Sequence, residues 1–298
     1  MWQIFSVLGL LSNAIENVID KKALVKVKSI DNTIATFVRV LFYVLLMCIV
    51  GYFTVGNIKL IFYPSIILFG LVSALNSFSY TYALKRIEVT NIGIISYAGP
   101  LLFLFIDSVV LHTQFSISQI AGILLLVIGG TAFSFDGSTY KFKKEISPKV
   151  WMIFIFWFIY GGVEAYLFKF FNHEQGVNSV SFFVSVWMFA CLFLFISVLI
   201  QRKLPLLSYS KLKGFLGVTI LGKTFDSASS LFTAQALILA SVSQVRSMGA
   251  LAPLTLLCVT FFVQGILKIS VEERLDRKNL IWKSIFMIIL ISGGLMIK

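Results

Sequence analysis

Residues 182–200 read F-F-V-S-V-W-M-F-A-C-L-F-L-F-I-S-V-L-I, nineteen positions without a charge and without apolar–polar alternation. At about 1.5 Å per helical residue, a run of that length matches the hydrocarbon core of a bilayer. Backbone groups in lipid must be paired within a helix or around a closed barrel, and barrel strands alternate in polarity where this run does not. A membrane helix is the element it can form. Comparable runs recur along 298 residues of which 58% are hydrophobic and 13% charged, against about 25% charged in soluble domains. They predict an all-α membrane protein with ten transmembrane helices, at approximately 2–19, 33–52, 65–84, 91–111, 117–135, 150–168, 178–200, 214–238, 245–266 and 281–297. Met1–Leu11 is apolar without a basic flank or small-residue cleavage motif, so it reads as a retained first helix.

The ten runs form two copies of one unit. D-N-T-I-A-T-F-V-R-V at 31–40 returns as V-N-S-V-S-F-F-V-S-V at 177–186, and A-L-K-R…A-G-P-L at 83–101 returns as A-L-I-L…L-A-P-L at 236–254. The expected units are 1–135 and 150–298, each of five helices, joined by a polar linker at 136–149. An odd number of crossings places the second copy upside down, so matched loops must lie on opposite membrane faces. The charges agree. Lys21, Lys22, Lys26 and Lys28 follow helix 1 against Lys169 after helix 6, and Lys59 stands against Arg202, Lys203, Lys211 and Lys213. Lys85 and Arg86 follow helix 3 with no match after helix 8, while Lys268, Arg274, Arg277 and Lys278 after helix 9 have no match after helix 4. With the linker lysines, loops after odd-numbered helices hold 18 of the 25 Lys and Arg, which makes them cytoplasmic and leaves both termini outside. The net charge of +12 is thereby a topological signal, and no nucleic-acid partner is expected.

In each half a Lys closes helix 1 (Lys21, Lys169), an Arg lies early in helix 2 (Arg39, replaced by Ser185), an Ala-Leu pair closes helix 3 (Ala83-Leu84, Ala236-Leu237), a Pro sits in helix 4 (Pro100, Pro253) and helix 5 is Gly-rich (Gly129-Gly130, Gly293-Gly294). As a set, these residues resemble the ten-helix drug/metabolite transporter superfamily, in its EamA-like branch, over nearly the whole chain. Three departures are visible. Asn13-Ala14 and Gly161-Gly162 stand where that family has Trp-Gly, the acidic residue expected after helix 4 is absent, and familiar members keep both termini in the cytoplasm, opposite to these loop charges.

An ionisable side chain within a membrane helix costs roughly 2.5–3.5 kcal/mol on insertion scales, so each one present needs a partner or a cavity. Glu16 and Glu164 occupy matched positions, five residues before Lys21 and Lys169. They read either as a carboxylate pair for substrate or H+ near the repeat axis, or as interfacial partners of those lysines. Lys223 and Asp226 are spaced i, i+3 on helix 8 and can neutralise each other, lining a hydrated wall or packing as an ion pair. Asn76 and Tyr80 on helix 3 lie at the depth of Ser229. Asp107 and Arg246 are each seven residues from the helix prolines Pro100 and Pro253, which read as hinges, and Arg246 suits an anionic substrate group. Arg39 reads equally as a site residue and as a topological anchor. The cysteines Cys48, Cys191 and Cys258 lie inside apolar runs without ligand spacing, so no disulfide, metal or cofactor is expected.

No phosphate-binding loop G-x-x-x-x-G-K-[ST] is present, nor H-E-x-x-H or G-x-S-x-G, which argues against ATP-driven transport within this chain and against an enzyme. Two fused inverted units point to a secondary active transporter with its site where the halves meet. The mixed charges favour a small polar or zwitterionic metabolite, such as an amino acid, moved by alternating access with H+ as candidate coupling ion. A flippase for a lipid-linked substrate and a non-transporting receptor or scaffold are the competing classes. The expected setting is the bacterial cytoplasmic membrane, as monomer or homodimer.

Overall fold

The computed structural model describes residues 1–26, 30–85, 99–109, 112–133, 135–136, 141–142, 148–207, 209–252, 254–256, 258–259, 262 and 277–297. The described helices are α1 (Trp2–Lys26), α2 (Asn32–Thr54), α3 (Pro64–Leu84), α4 (Gly99–Val109), α5 (Ile117–Phe133), α6 (Pro148–Gln175), α7 (Ser179–Ile200), α8 (Tyr209–Leu239), α9 (Val242–Met248) and α10 (Arg277–Met296). A two-residue ladder, Phe135–Asp136 with Lys141–Phe142, lies at the start of the polar linker. Among the described residues, α2, α3 and α7 are each long and apolar enough to cross a membrane. Large apolar side chains such as Ile49, Phe53, Leu68, Ile200 and Ile288 point outward into what would be lipid. The chain is an integral membrane protein.

Several helices outrun their apolar stretches because neighbours satisfy the polar residues that follow. α1 continues to Lys26, with Lys21 Nζ donating to the Leu84 carbonyl at 2.7 Å, and α6 continues to Gln175. The two repeated segments that open α2 and α7 are capped by side chains: Asp31 accepts from Thr33 N at 2.8 Å and Asn178 from Ser181 N at 2.8 Å. α9 begins with a capping box, Ser241 with Gln244, and gives way to a 3₁₀ turn at Gly249–Leu251. That turn lies inside the run expected to form a helix from 245 to 266. Pro253 lies outside the described residues, as do residues 86–98, including Arg86, and Lys268 and Arg274.

The helices pack α2 on α7, α4 on α9 and α5 on α10, with α1 on α8, α3 on α6, α2 also on α8 and α3 on α7. Exchanging each helix for the one five places away returns the same set of pairs. The α5–α10 crossing is close enough that a Cβ on Gly122 would stand 2.8 Å from the Gly293 carbonyl oxygen, and one on Gly293 would stand 2.9 Å from that of Gly122. Small residues let helix backbones approach this way in lipid, where dispersion contacts and not hydrophobic exclusion drive packing.

Connections gather at two ends. At one, Lys203 Nζ pairs with Asp31 at 2.9 Å and Lys85 Nζ donates to the Ile30 carbonyl at 2.6 Å, joining the segments after α1, α3 and α7. At the other, Lys59 N donates to Ser181 Oγ at 3.1 Å and Ser118 Oγ to the Met296 carbonyl at 3.1 Å, joining the segments after α2, α4 and α6 with the end of α10. Among the described residues, Lys85 and Lys203 lie at the first end.

Candidate functional site

α1, α2, α3, α6, α7, α8 and α9 enclose a cavity of about 410 Å³, within the range of small-ligand sites. Positions that correspond in the sequence repeat both line it: Gly9 and Trp157, Asn13 and Gly161, Glu16 and Glu164 from α1 and α6, then Asn76 and Ser229, Ser77 and Ser230, Tyr80 and Thr233 from α3 and α8. The lining thus includes eight of the sequence candidates, namely Glu16, Arg39, Asn76, Tyr80, Glu164, Lys223, Asp226 and Arg246.

Their charges fall into two groups. Towards the basic end, Lys223 Nζ lies 2.7 Å from Glu16 Oε1, 3.4 Å from Asp20 and 2.7 Å from Asp226, and Arg39 pairs with Asp20 and, at 3.5 Å, with Glu16. The i, i+3 pair expected of Lys223 and Asp226 forms, but the same ammonium also serves α1. Arg39 further donates to Thr81 Oγ1 at 2.8 Å and lies over the Tyr80 ring, 4.9 Å from its centroid. Glu16 turns inward to these cations, while Lys21 reaches the Leu84 carbonyl. Taking charges out of water is tolerable only where each finds a partner, and here two cations hold three carboxylates.

Nearer the other end, Arg246 lies 3.5 Å from Glu164 and donates to the Gly161 carbonyl at 2.6 Å. A Cβ at Gly161 would meet the guanidinium at 3.7 Å, an ordinary van der Waals contact. Tyr160 donates to Glu164 at 3.1 Å, lies 3.1 Å from Ser73 Oγ and stacks on Phe69 at 5.1 Å between centroids. Trp157 donates to Ser79 at 2.7 Å and packs against Tyr80, whose hydroxyl donates to Asn17. Tyr43 donates to Ser230 at 2.8 Å and packs on Trp187. Aromatic rings therefore form walls between the two charge groups.

Asp107 lies elsewhere. It is buried, accepts from Tyr166 Oη at 2.8 Å and from Ser243 N at 2.8 Å, and so ties α4 to the N-terminal turn of α9. Pro100 is buried at the start of α4. Ser185, which replaces Arg39 in the second repeat, accepts from Ile61 N at 2.9 Å and anchors the extended segment before α3.

Asp20 is the member that sequence reasoning passes over. It sits fully buried between Arg39 and Lys223, four residues after Glu16 and so on the same face of α1. That i, i+4 spacing is the signal that could have found it. Gly222 makes room for it, since a Cβ there would meet its Oδ1 at 2.8 Å. Tyr43, Trp187 and Gly122 carry no comparable sequence signal.

Residues 1–135 match the EamA-like transporter family. That match covers under half of the chain. No curated protein matches the chain. A solved crystal structure is similar over 99% of this chain and 97% of its own, with a TM-score of 0.67 at 12% identity. At that identity the likeness is one of fold.

Proposed function

We propose that this chain, whose residues 1–135 match the EamA-like transporters of the drug/metabolite superfamily, is a secondary active transporter that carries a small polar or zwitterionic metabolite, an amino acid or related compound, by alternating access. The observation that carries the reading is the cavity of about 410 Å³, lined by matched positions of both repeats and bearing both signs of charge. Units 1–135 and 150–298, joined by the linker at 136–149, are the halves that move, related as inverted repeats. The most extensive helix pairings, which keep their pattern when the two sets of five are exchanged, support that relation.

The roles follow from the geometry. Arg246, with paired donors, receives a carboxylate, and Asp226 and Glu164 receive an ammonium. Asn76 and Tyr80 supply hydrogen bonds. Arg39, Lys223 and Glu16 hold α1, α2 and α8 together at the basic end. Glu16 and Glu164 are the candidate H+ carriers, and Pro100 and Pro253 the helix hinges. Asp107 acts by fixing α9, and thereby Arg246, relative to α4. The membrane is the cytoplasmic membrane of a bacterium, with the basic end inside.

The test is flux into proteoliposomes under an imposed pH gradient. Gradient-dependent uptake of an amino acid that collapses in the Glu16→Gln/Glu164→Gln double variant is expected. Uptake that ignores both the gradient and the double substitution would remove H+ coupling through this pair, and absence of uptake for any metabolite would remove the transporter reading itself.

A further inference from the structure

The charged groups of the cavity differ in how far a ligand can reach them. Glu16, Asp20, Arg39 and Lys223 have side chains 6%, 0%, 4% and 5% exposed, and they neutralise one another. Asp226, Glu164 and Arg246 are 27%, 21% and 27% exposed. A molecule in the cavity therefore meets the accessible edges of two carboxylates, Asp226 accepting from Lys223 Nζ at 2.7 Å and Glu164 lying 3.5 Å from Arg246, and of one guanidinium.

Each of these carboxylates also has a tyrosine ring beside it. Tyr43 bonds to Ser230, one helical turn after Asp226, and Tyr160 bonds to Glu164 directly. Both tyrosines line the cavity, Tyr160 with one face stacked on Phe69 and Tyr43 tilted against Trp187, and an aromatic face attracts a cation. Asn76 Oδ1, in the same lining, is an acceptor without a hydrogen-bond donor. The accessible lining thus carries more carboxylates than cations, and one nitrogen of its guanidinium is turned to Glu164 and the Gly161 carbonyl while Arg246 Nε has no hydrogen-bond partner.

We propose that the cavity selects its cargo by a protonated amine, held between Asp226 and Glu164 against the rings of Tyr43 and Tyr160, and that a carboxylate on the cargo is optional. The inference rests on the transporter reading for its biology, since it narrows the class of substrate that the same site accepts. It does not rest on it for its physics, because an amine can bind without being moved.

Two probes of similar size and opposite charge separate the possibilities: phenethylamine and hydrocinnamate, added at millimolar concentration to the purified protein in detergent, with the thermal midpoint as readout. A ligand that favours the folded state raises that midpoint by mass action. Phenethylamine is expected to raise it by several degrees and hydrocinnamate to leave it unchanged, and Asp226→Asn should abolish the amine's effect. Equal shifts from both probes, a shift from the acid alone, no shift from the amine, or an undiminished amine shift in Asp226→Asn would each overturn the proposal. The wild-type comparison decides alone if Asp226→Asn fails to fold. Stabilisation by the amine without its uptake into proteoliposomes would leave the selectivity standing and count against transport. Uptake of carboxylates without amines would do the reverse.

Discussion

At the scale of single residues, two ion pairs of this chain should behave oppositely. Arg39 is buried between Glu16 and Asp20, and removing it leaves carboxylates uncompensated in a place water does not reach. Arg39→Ala is therefore expected to cost about 3–5 kcal/mol, read as a large fall in the thermal midpoint in detergent. Lys203 and Asp31 are 25% and 31% exposed, and Lys203→Ala should cost under about 1 kcal/mol. Losses of similar size would mean that the buried cluster is hydrated. Burial alone pushes the Asp31 carboxyl upward, but the Lys203 hydrogen bond and the Thr33 amide outweigh it and hold the group below the ordinary aspartate range. The stability this contributes is present above the ordinary value and is lost as pH falls through the lowered one. Glu16, Arg39 and Lys223 are legible in the sequence because a charge inside an apolar run demands a reason. Asp20 is not, because it abuts Lys21 and Lys22 and reads as the start of a loop. Only the continuation of α1 to Lys26 carries it into the core.

Among the elements, the two helices that close each repeat are joined at their glycines. Gly122→Ala and Gly293→Ala each place a methyl within 3 Å of a backbone oxygen, and a backbone cannot rotate away as a side chain does. Each should destabilise by about 1–3 kcal/mol. Gly217→Ala on α8, where a Cβ meets nothing within 4 Å, should be neutral or stabilising by up to about 1 kcal/mol. Melting of the three variants checks this, and a neutral Gly122→Ala would place the crossing elsewhere. Helix existence was readable from apolar run length, whereas α9 was not readable in detail. Its run from 245 to 266 looks continuous, yet the capping box at Ser241 starts it earlier and the turn at Gly249–Leu251 interrupts its α-helical geometry, which the described residues 252, 254–256, 258–259 and 262 take up again. Capping and 3₁₀ tightening depend on local hydrogen bonds that hydropathy does not register.

For the whole molecule, the alternation of loop charge predicts which connections share a face, and the contacts of Lys203 with Asp31 and of Lys85 with Ile30 agree with it. Single cysteines at Lys203 and at Lys59 should accordingly be labelled by an impermeant reagent from opposite sides of the membrane, Lys203→Cys from the cytoplasm and Lys59→Cys from outside. Labelling of both from one side would break the topology. The central cavity was foreseeable as a place where the halves meet, since duplicated frames share an axis. Its one-sided wiring was not, because Arg39 corresponds to Ser185 in the repeat register and, among the described residues, nothing in 150–298 reproduces the Glu16, Asp20 and Lys223 interlock.

That imbalance has an energetic meaning for a machine built from two similar halves. If the halves rock about the cavity, one closure is fastened by interlocked ions and the other by stacked rings and a single pair, so the two conformations cannot be isoenergetic. The empty protein then rests mostly in one of them, and cargo has to supply a differential affinity large enough to redistribute the populations, about 5.5 kcal/mol for a complete reversal of a hundred-to-one bias. Weakening the ionic fastening, as Arg39→Lys would, should flatten that bias and so change the resting accessibility of the cavity.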